Sequence, residues 1–376
     1  MPRHLALLLW LTAATDSVAP QTVTIDRESR SVTAGMQPLP VHVSGRVEVR
    51  GQDYRHQWPG VYFEGAFRGD RVILRFDDAR NEYRLRIDDL PSVTLAQPGR
   101  SDVTISTLST GAHRIRLDKV TESAGVTTMF GGFYVPAGKA LLAPPARRRQ
   151  IEFIGDSSMT GYGARSTRRE CTGEEVRRLT DTPDAFAALT ARHYDADYQV
   201  NAISGRGLIR NYGGAAPDIA MMQVYPRLFP DRPAPVYSDS NWRPQIVMIK
   251  LQADFLGFKP EARWKDFDAL AADYIDSFGR FVTDLHKRAP EAAILVWWFD
   301  TSHASPPEQA TMAAAESRIS AAARKANVPD IAFLPFSGAG YRNAGCHFHF
   351  DIEEQRKVAD WLILQIDAHP EYWRGR

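Results

Sequence analysis

The chain has 376 residues, 44% of them hydrophobic and 24% charged, enough for two globular domains of ordinary size with substantial cores. Its formal net charge of +1 gives no electrostatic footprint for nucleic acid or for an acidic membrane surface. The sequence contains no internal repeat and no low-complexity tract.

Residues 1–19 read as a secretory signal peptide. Arg3 and His4 precede the apolar run LALLLWLTAA, which ends in small residues and is too short to span a bilayer. Cleavage after Ala14 or Ala19 fits, with Pro20 disfavouring the second, and the expected location is secreted or periplasmic. Residues 20–140 read as an antiparallel β-sandwich. RVILRF and EYRLRID alternate polar and apolar positions and place Val72, Leu74 and Phe76, then Tyr83, Leu85 and Ile87, on inner faces. FRGD, DDARN and QPGR mark the turns, and Trp58 falls to the sandwich core. Residues 141–150, with paired prolines and the basic run Arg147–Arg149, read as a solvated linker.

From 151 to 376 the rhythm changes. IEFIG, YQVNAIS, QIVMIKL, AAILVWWF and IAFLPF are apolar strand-like runs with helical patterns between several of them. Thr182 and Pro183 offer an N-cap and a first helical position for a helix over 183–194, and Asp351 offers a cap for the last helix. Alternating strands and helices predict an α/β/α domain with a parallel sheet, whose ligands bind at the carboxyl ends of the strands. His193 reads as a surface or packed residue.

Three stretches fall at those ends. IEFIGDSSMTGYG closes the first strand on Ser157, which turns sharply after Gly155. AISGRGLIRNYGG, residues 202–214, follows the second strand, and GCHFHFD, residues 345–351, follows the last. A serine hydroxyl needs a base to become a nucleophile and amides aimed at the oxyanion it creates. A histidine in the last loop can reach back across the sheet ends to supply that base. Alone, Gly-Asp-Ser is equally a turn former, and Ser158 competes with Ser157.

Together the three blocks resemble the SGNH, or GDSL-type, hydrolases, and more closely carbohydrate esterase family 2. Members of that family carry a jelly-roll sandwich ahead of the SGNH domain, so the resemblance covers nearly the whole mature chain. It implies Ser157 as nucleophile, His349 as general base and then acid, and the Ser157 and Gly205 amides in the oxyanion hole, with no cofactor. It implies an esterase removing O-acetyl groups from polysaccharides such as xylan or glucomannan. An esterase of other acyl specificity and a non-catalytic carbohydrate-binding protein are the alternatives.

Two departures from the family pattern stand out. Where the third block usually reads GTND, LQADF aligns Asp254 with the family aspartate and puts Ala253 at the oxyanion-hole asparagine; neighbouring Gln252 is the candidate substitute. No aspartate precedes His349 at the usual spacing; Cys346 and His347 stand there, which leaves a Ser–His dyad with its imidazole held by backbone carbonyl. Phe350 replaces a proline. His347 and His349 can share a zinc ion in principle, but no further ligands stand at metal spacing. Cys171 and Cys346 form either one disulfide or two buried thiols. Trp297 and Trp298 point to opposite sides of their strand, either both into the core or one toward a sugar in the cleft. The expected partner is an acetylated polysaccharide or oligosaccharide, with no nucleic acid and no membrane.

Overall fold

The structure is a computed structural model describing residues 24–29, 34–123, 125–298, 306–328 and 331–374. The expected signal peptide, 1–19, lies outside the described residues. The N-terminal part pairs two antiparallel sheets. A seven-stranded sheet is built around Val72–Asp78, and a five-stranded sheet around Ala112–Lys119. The alternation in these strands turns one face of each inward. Val72, Leu74, Phe76, Leu85, Ile115 and Leu117 meet Phe63, Phe130 and Phe133 in a single apolar cluster.

The C-terminal part is a five-stranded parallel sheet. Its spatial order is Ala196–Ala202, Arg149–Gly155, Ile246–Lys250, Ala293–Trp298 and Ile331–Pro335. Ala196–Ala202, Ile246–Lys250 and Ala293–Trp298 are buried from end to end and Arg149–Gly155 is buried past Arg149, as a sheet covered on both faces requires, while the edge strand Ile331–Pro335 is only partly buried. The helices Phe267–Arg288 and Pro306–Lys325 cover one face. Phe186–His193 and Ile352–Asp367 cover the other. Gly155 lies opposite both Ala202 and Lys250, so the three strands that carry the sequence blocks end at one level.

Three expectations are corrected. Asp181, not Thr182, caps the segment after it, by accepting from the Asp184 amide at 3.2 Å. Residues Thr182–Asp184 form a 3-10 turn and the α-helix runs only over Phe186–His193. The Thr182 hydroxyl is taken up by the Thr160 carbonyl at 2.7 Å. His193 ends that helix, exposed. Trp58 is buried in the cluster that lines the parallel sheet, beside Ile154 and Met221, rather than in the sandwich core. Within the basic run Arg148 and Arg149 are exposed, as expected of a solvated linker, but Arg147 is not. Arg147 pairs with Glu64 of the sandwich at 2.9 Å and with Asp197 at 3.0 Å, and Arg149 stacks over the Trp373 ring at 4.6 Å.

The two parts meet through further buried charge. Arg46, fully buried, lies 4.6 Å from the centres of both the Tyr225 and Tyr237 rings and pairs with Glu152 at 3.2 Å. A buried cation is tolerable only when paired and hydrogen-bonded, which makes this junction geometrically demanding. Among the described residues, no helix is long and apolar enough to cross a membrane.

Candidate active site

Gly155 ends its strand and Ser157 opens the four-residue helix Ser157–Thr160. Asp156 sets that turn. Its carboxylate accepts from the Ser158 amide at 3.0 Å and from the Lys250 ammonium at 3.2 Å to each oxygen. Lys250 is the last residue of the neighbouring strand, so the ion pair ties the turn bearing Ser157 to the sheet edge. The Ser157 side chain is half-buried.

His349 reaches Ser157 from the last loop. The Ser157 Oγ–H donates to His349 Nε2 at 2.7 Å. The other ring nitrogen, Nδ1–H, donates to the Cys346 carbonyl at 3.0 Å and to the His347 carbonyl at 3.2 Å. These two acceptors fix the tautomer that leaves Nε2 free to take a proton, the task an aspartate performs in a triad. Burial lowers the pKa of His349, against the pull of the backbone acceptors and of Asp156, so the ring is neutral at neutral pH. The Tyr162 ring packs on it at 4.4 Å between centroids.

His347 is held elsewhere. Its Nε2–H donates to the Cys171 carbonyl at 2.8 Å, and its Nδ1 accepts from the Tyr162 hydroxyl at 2.9 Å. Its backbone is left-handed, with φ of 52°. The two histidine rings therefore serve different partners rather than sharing one ion. Cys346 and Cys171 are joined in a disulfide that pins this loop to the segment following Tyr162.

The second block supplies the opposite wall. The Asp254 carboxylate, fully buried, accepts from the amides of Leu208 and Ile209 at 2.8 Å and of Arg210 at 2.9 Å. Burial pushes this carboxyl up to about 6 against those three amides. Gly207 is required here because a Cβ would stand 2.4 Å from the carboxylate and 2.0 Å from the Arg210 carbonyl. The residue aligned with the family aspartate thus shapes the glycine loop. Gly205 adopts φ of 75°, and its amide and that of Ser157 donate to no acceptor among the described residues. Gln252 lies two residues past Lys250, as Ser157 lies two past Gly155, so the paired register brings both to the same sheet edge. Its side chain is half-exposed and has no hydrogen-bond partner among the described residues, whereas Ala253 is buried.

Trp297 and Trp298 do not reach the cleft. Trp297 is buried against Phe186, Phe336 and Trp361, and Trp298 packs on Phe333 at the opposite face. Period-two alternation separates two faces but does not say that both are covered. Two exposed aromatic rings belong to the sequence blocks: Phe348, 66% exposed and adjacent to His349, and Tyr212, 59% exposed, whose amide donates to the Gly205 carbonyl. Neither was singled out from sequence, although each sits inside one of the blocks. Lys250 was missed as well. Its signal was a lone charge closing an apolar strand, which a buried position forces to find a partner.

A family profile described as "Carbohydrate esterase 2 N-terminal" matches residues 43–145. The chain is 38% identical over 344 residues to an acetylxylan esterase / glucomannan deacetylase of Cellvibrio japonicus (strain Ueda107), covering 90% of this chain and 93% of that protein. It is 30% identical over 248 residues to the cellulase/esterase CelE of Acetivibrio thermocellus, of which it spans 28%. A solved carbohydrate esterase, whose active site is described as having divergent catalytic and non-catalytic binding functions, superposes with a TM-score of 0.80 at 36% identity, covering 90% of this chain and all of the other. The chain belongs to carbohydrate esterase family 2: it is a carbohydrate esterase with a sandwich ahead of an SGNH-type domain.

Proposed function

We propose, from that membership, that this protein is an exported deacetylase that removes O-acetyl groups from polysaccharides through a Ser157–His349 dyad. The observation that carries the reading is the 2.7 Å contact between Ser157 Oγ and His349 Nε2, with Nδ1 committed to two carbonyls. His349 takes the Ser157 proton as Oγ attacks the acetyl carbonyl. The negative charge that develops on the carbonyl oxygen falls to the Ser157 and Gly205 amides. His349 then protonates the sugar oxygen as it leaves, and an acetyl group remains on Ser157. Water, deprotonated by the same nitrogen, releases acetate. No residue in this sequence of steps needs a cofactor. Exposed Tyr212 and the face of exposed Phe348 not covered by the Arg169 guanidinium, which lies 4.6 Å from the ring centre, offer surfaces on which sugar rings can stack. The name of the Cellvibrio relative favours acetylated xylan and glucomannan as substrates. Export is supported by the segment Arg3–Ala14 and by the Cys171–Cys346 disulfide, a bond that persists in oxidising compartments.

The test is acetate release from acetylated xylan, acetylated glucomannan and a small aryl acetate, with Ser157→Ala as control. Turnover of both polysaccharides that vanishes in the variant is the expected result. Activity on the aryl ester alone would reject polysaccharide deacetylation.

A further inference from the structure

One carboxylate at the site belongs to the other domain. Glu122 follows the sandwich strand Ala112–Lys119 and lines a cavity of about 330 Å³ together with Tyr162 and Ser204. Its two oxygens divide their work on one residue. Oε1 accepts from the Ser204 amide at 2.8 Å and Oε2 from the Ser204 hydroxyl at 2.6 Å. Ser204 immediately precedes Gly205, whose left-handed backbone sets the direction of the candidate oxyanion amide. The Ser204 hydroxyl also lies 3.4 Å from the Thr160 hydroxyl, which donates to the Ser157 carbonyl at 3.1 Å. Glu122 therefore grips the loop bearing Gly205 through Ser204, whose hydroxyl also packs against that of Thr160 in the helix bearing Ser157.

We propose that Glu122 is a positioning residue, by which the sandwich domain aims the Gly205 amide into the oxyanion hole beside Ser157. The proposal rests on the catalytic reading of Ser157 given above.

The grip is rigid on the sandwich side. The Lys119 ammonium donates to the Gln57 carbonyl at 2.6 Å, the Trp58 carbonyl at 3.1 Å and the Ser123 hydroxyl at 2.8 Å. The Val120 carbonyl accepts from the Thr182 amide at 3.0 Å. The segment carrying Glu122 is thereby fixed to both domains. Burial raises the Glu122 carboxyl, which limits the negative charge it brings near the oxyanion, while Ser204 and Lys119 draw it back toward ionisation. Either protonation state leaves an acceptor for the Ser204 amide. A glutamine keeps an acceptor for the Ser204 amide but puts a donor at the other position, so the Ser204 hydroxyl has to turn round and accept where it now donates. An error of the order of an ångström in the direction of a catalytic donor costs roughly 10²-fold in rate.

The experiment compares Glu122→Gln, Glu122→Asp and Ser204→Ala with the wild type. It uses two readouts: kcat and KM on an acetylated substrate, and the rate at which a fluorophosphonate labels Ser157. Labelling forms a tetrahedral adduct that uses the Ser157 and Gly205 amides, whichever ester is the natural substrate. Glu122→Gln is expected to lower kcat and the labelling rate together, by roughly 10- to 10²-fold, with KM within about twofold of wild type. Glu122→Asp, which keeps two acceptors, should recover part of the loss. Unchanged kcat and labelling in Glu122→Gln would overturn the proposal. So would a change confined to KM, which would make Glu122 a substrate contact. If Glu122→Gln does not fold, Ser204→Ala decides, and wild-type labelling there overturns it. A wild type that labels but deacetylates no polysaccharide would defeat the substrate assignment, while a fall of labelling in Glu122→Gln would still support the positioning role.

Discussion

Removing the Cys171–Cys346 disulfide separates what the loop does for stability from what it does for catalysis. The bond joins residues 175 apart. The chain-entropy relation for a closed loop of that size gives about 5 kcal/mol of stabilisation at 25 °C. Cysteine-to-serine changes at both positions should therefore lower the unfolding free energy by up to that amount, measured from the urea midpoint and slope together, because an unfolded chain freed of the cross-link is more expanded and raises the slope. Catalysis should suffer less. The carbonyls that hold His349 are backbone atoms of residues 346 and 347 and survive the change. The loop also keeps the His347 amide on the Arg169 carbonyl at 2.7 Å and the His347 ring on the Cys171 carbonyl. A fall in kcat of about tenfold is expected, from an imidazole clamped by a looser segment. A stability loss below about 1 kcal/mol would refute the loop-closure argument. A kcat as low as that of His349→Ala would refute the claim that the surviving hydrogen bonds position the base.

Ser157→Ala should lower kcat by roughly 10⁴-fold or more, whereas Ser158→Ala should stay within several-fold of wild type, because the Ser158 contact to Asp156 runs through its amide. His349→Ala should match the serine variant, while His347→Ala should lose only several-fold in kcat, since its ring contacts are to Tyr162 and Cys171; the reverse ranking would reassign the base. The base works when neutral, so kcat/KM should rise with pH as His349 deprotonates, and because burial lowers its pKa that limb should fall below 6.5; a limb above 6.5 would contradict the burial argument. Phe348→Ala should raise KM on polysaccharide roughly three- to tenfold with kcat kept, the size of one aromatic face contact of about 0.5–1.5 kcal/mol, and leave a small aryl acetate unaffected.

The parts of the site that the sequence made legible are those built from backbone and short spacing. Gly155-Asp156-Ser157 at a strand end and His349 before a capped helix are local patterns, and the parallel sheet then brings them together. Asp351 caps the final helix with Glu354 in a reciprocal pair, again a spacing visible in one dimension. What stayed hidden depends on partners far along the chain. Arg147 read as solvated because nothing nearby neutralises it, yet Glu64 and Asp197 lie across the domain junction. Trp58 sits in a sandwich segment but packs against the other domain. Glu122 offered no pattern at all, since its significance is the residue it meets 82 positions later. Trp297 and Trp298 were ambiguous because alternation sorts side chains into faces without revealing what covers each.

In the proposed oxyanion hole, departure from the family pattern has a consequence in rate. Alanine at 253 donates nothing, and its side chain is buried. Two backbone amides remain, those of Ser157 and Gly205. Gln252 stands at the same strand edge, two residues beyond the level at which Gly155 and Lys250 pair, with an amide that has no partner among the described residues. Its backbone, at φ −126° and ψ −2°, leads from the strand end into the short turn Ala253–Phe255. If this amide completes the hole, Gln252→Ala removes about 2.7–4 kcal/mol of transition-state stabilisation, a fall of roughly 10²–10³ in kcat with KM little changed. Gln252→Glu should be at least as damaging, because a carboxylate places negative charge where negative charge develops. Phosphonate labelling of Ser157 should slow in parallel for both. A Gln252→Ala enzyme with wild-type kcat would show that two backbone donors, that of Gly205 aimed from the sandwich side through Ser204, are sufficient. The alanine at 253 would then mark an oxyanion hole that works without a side-chain amide.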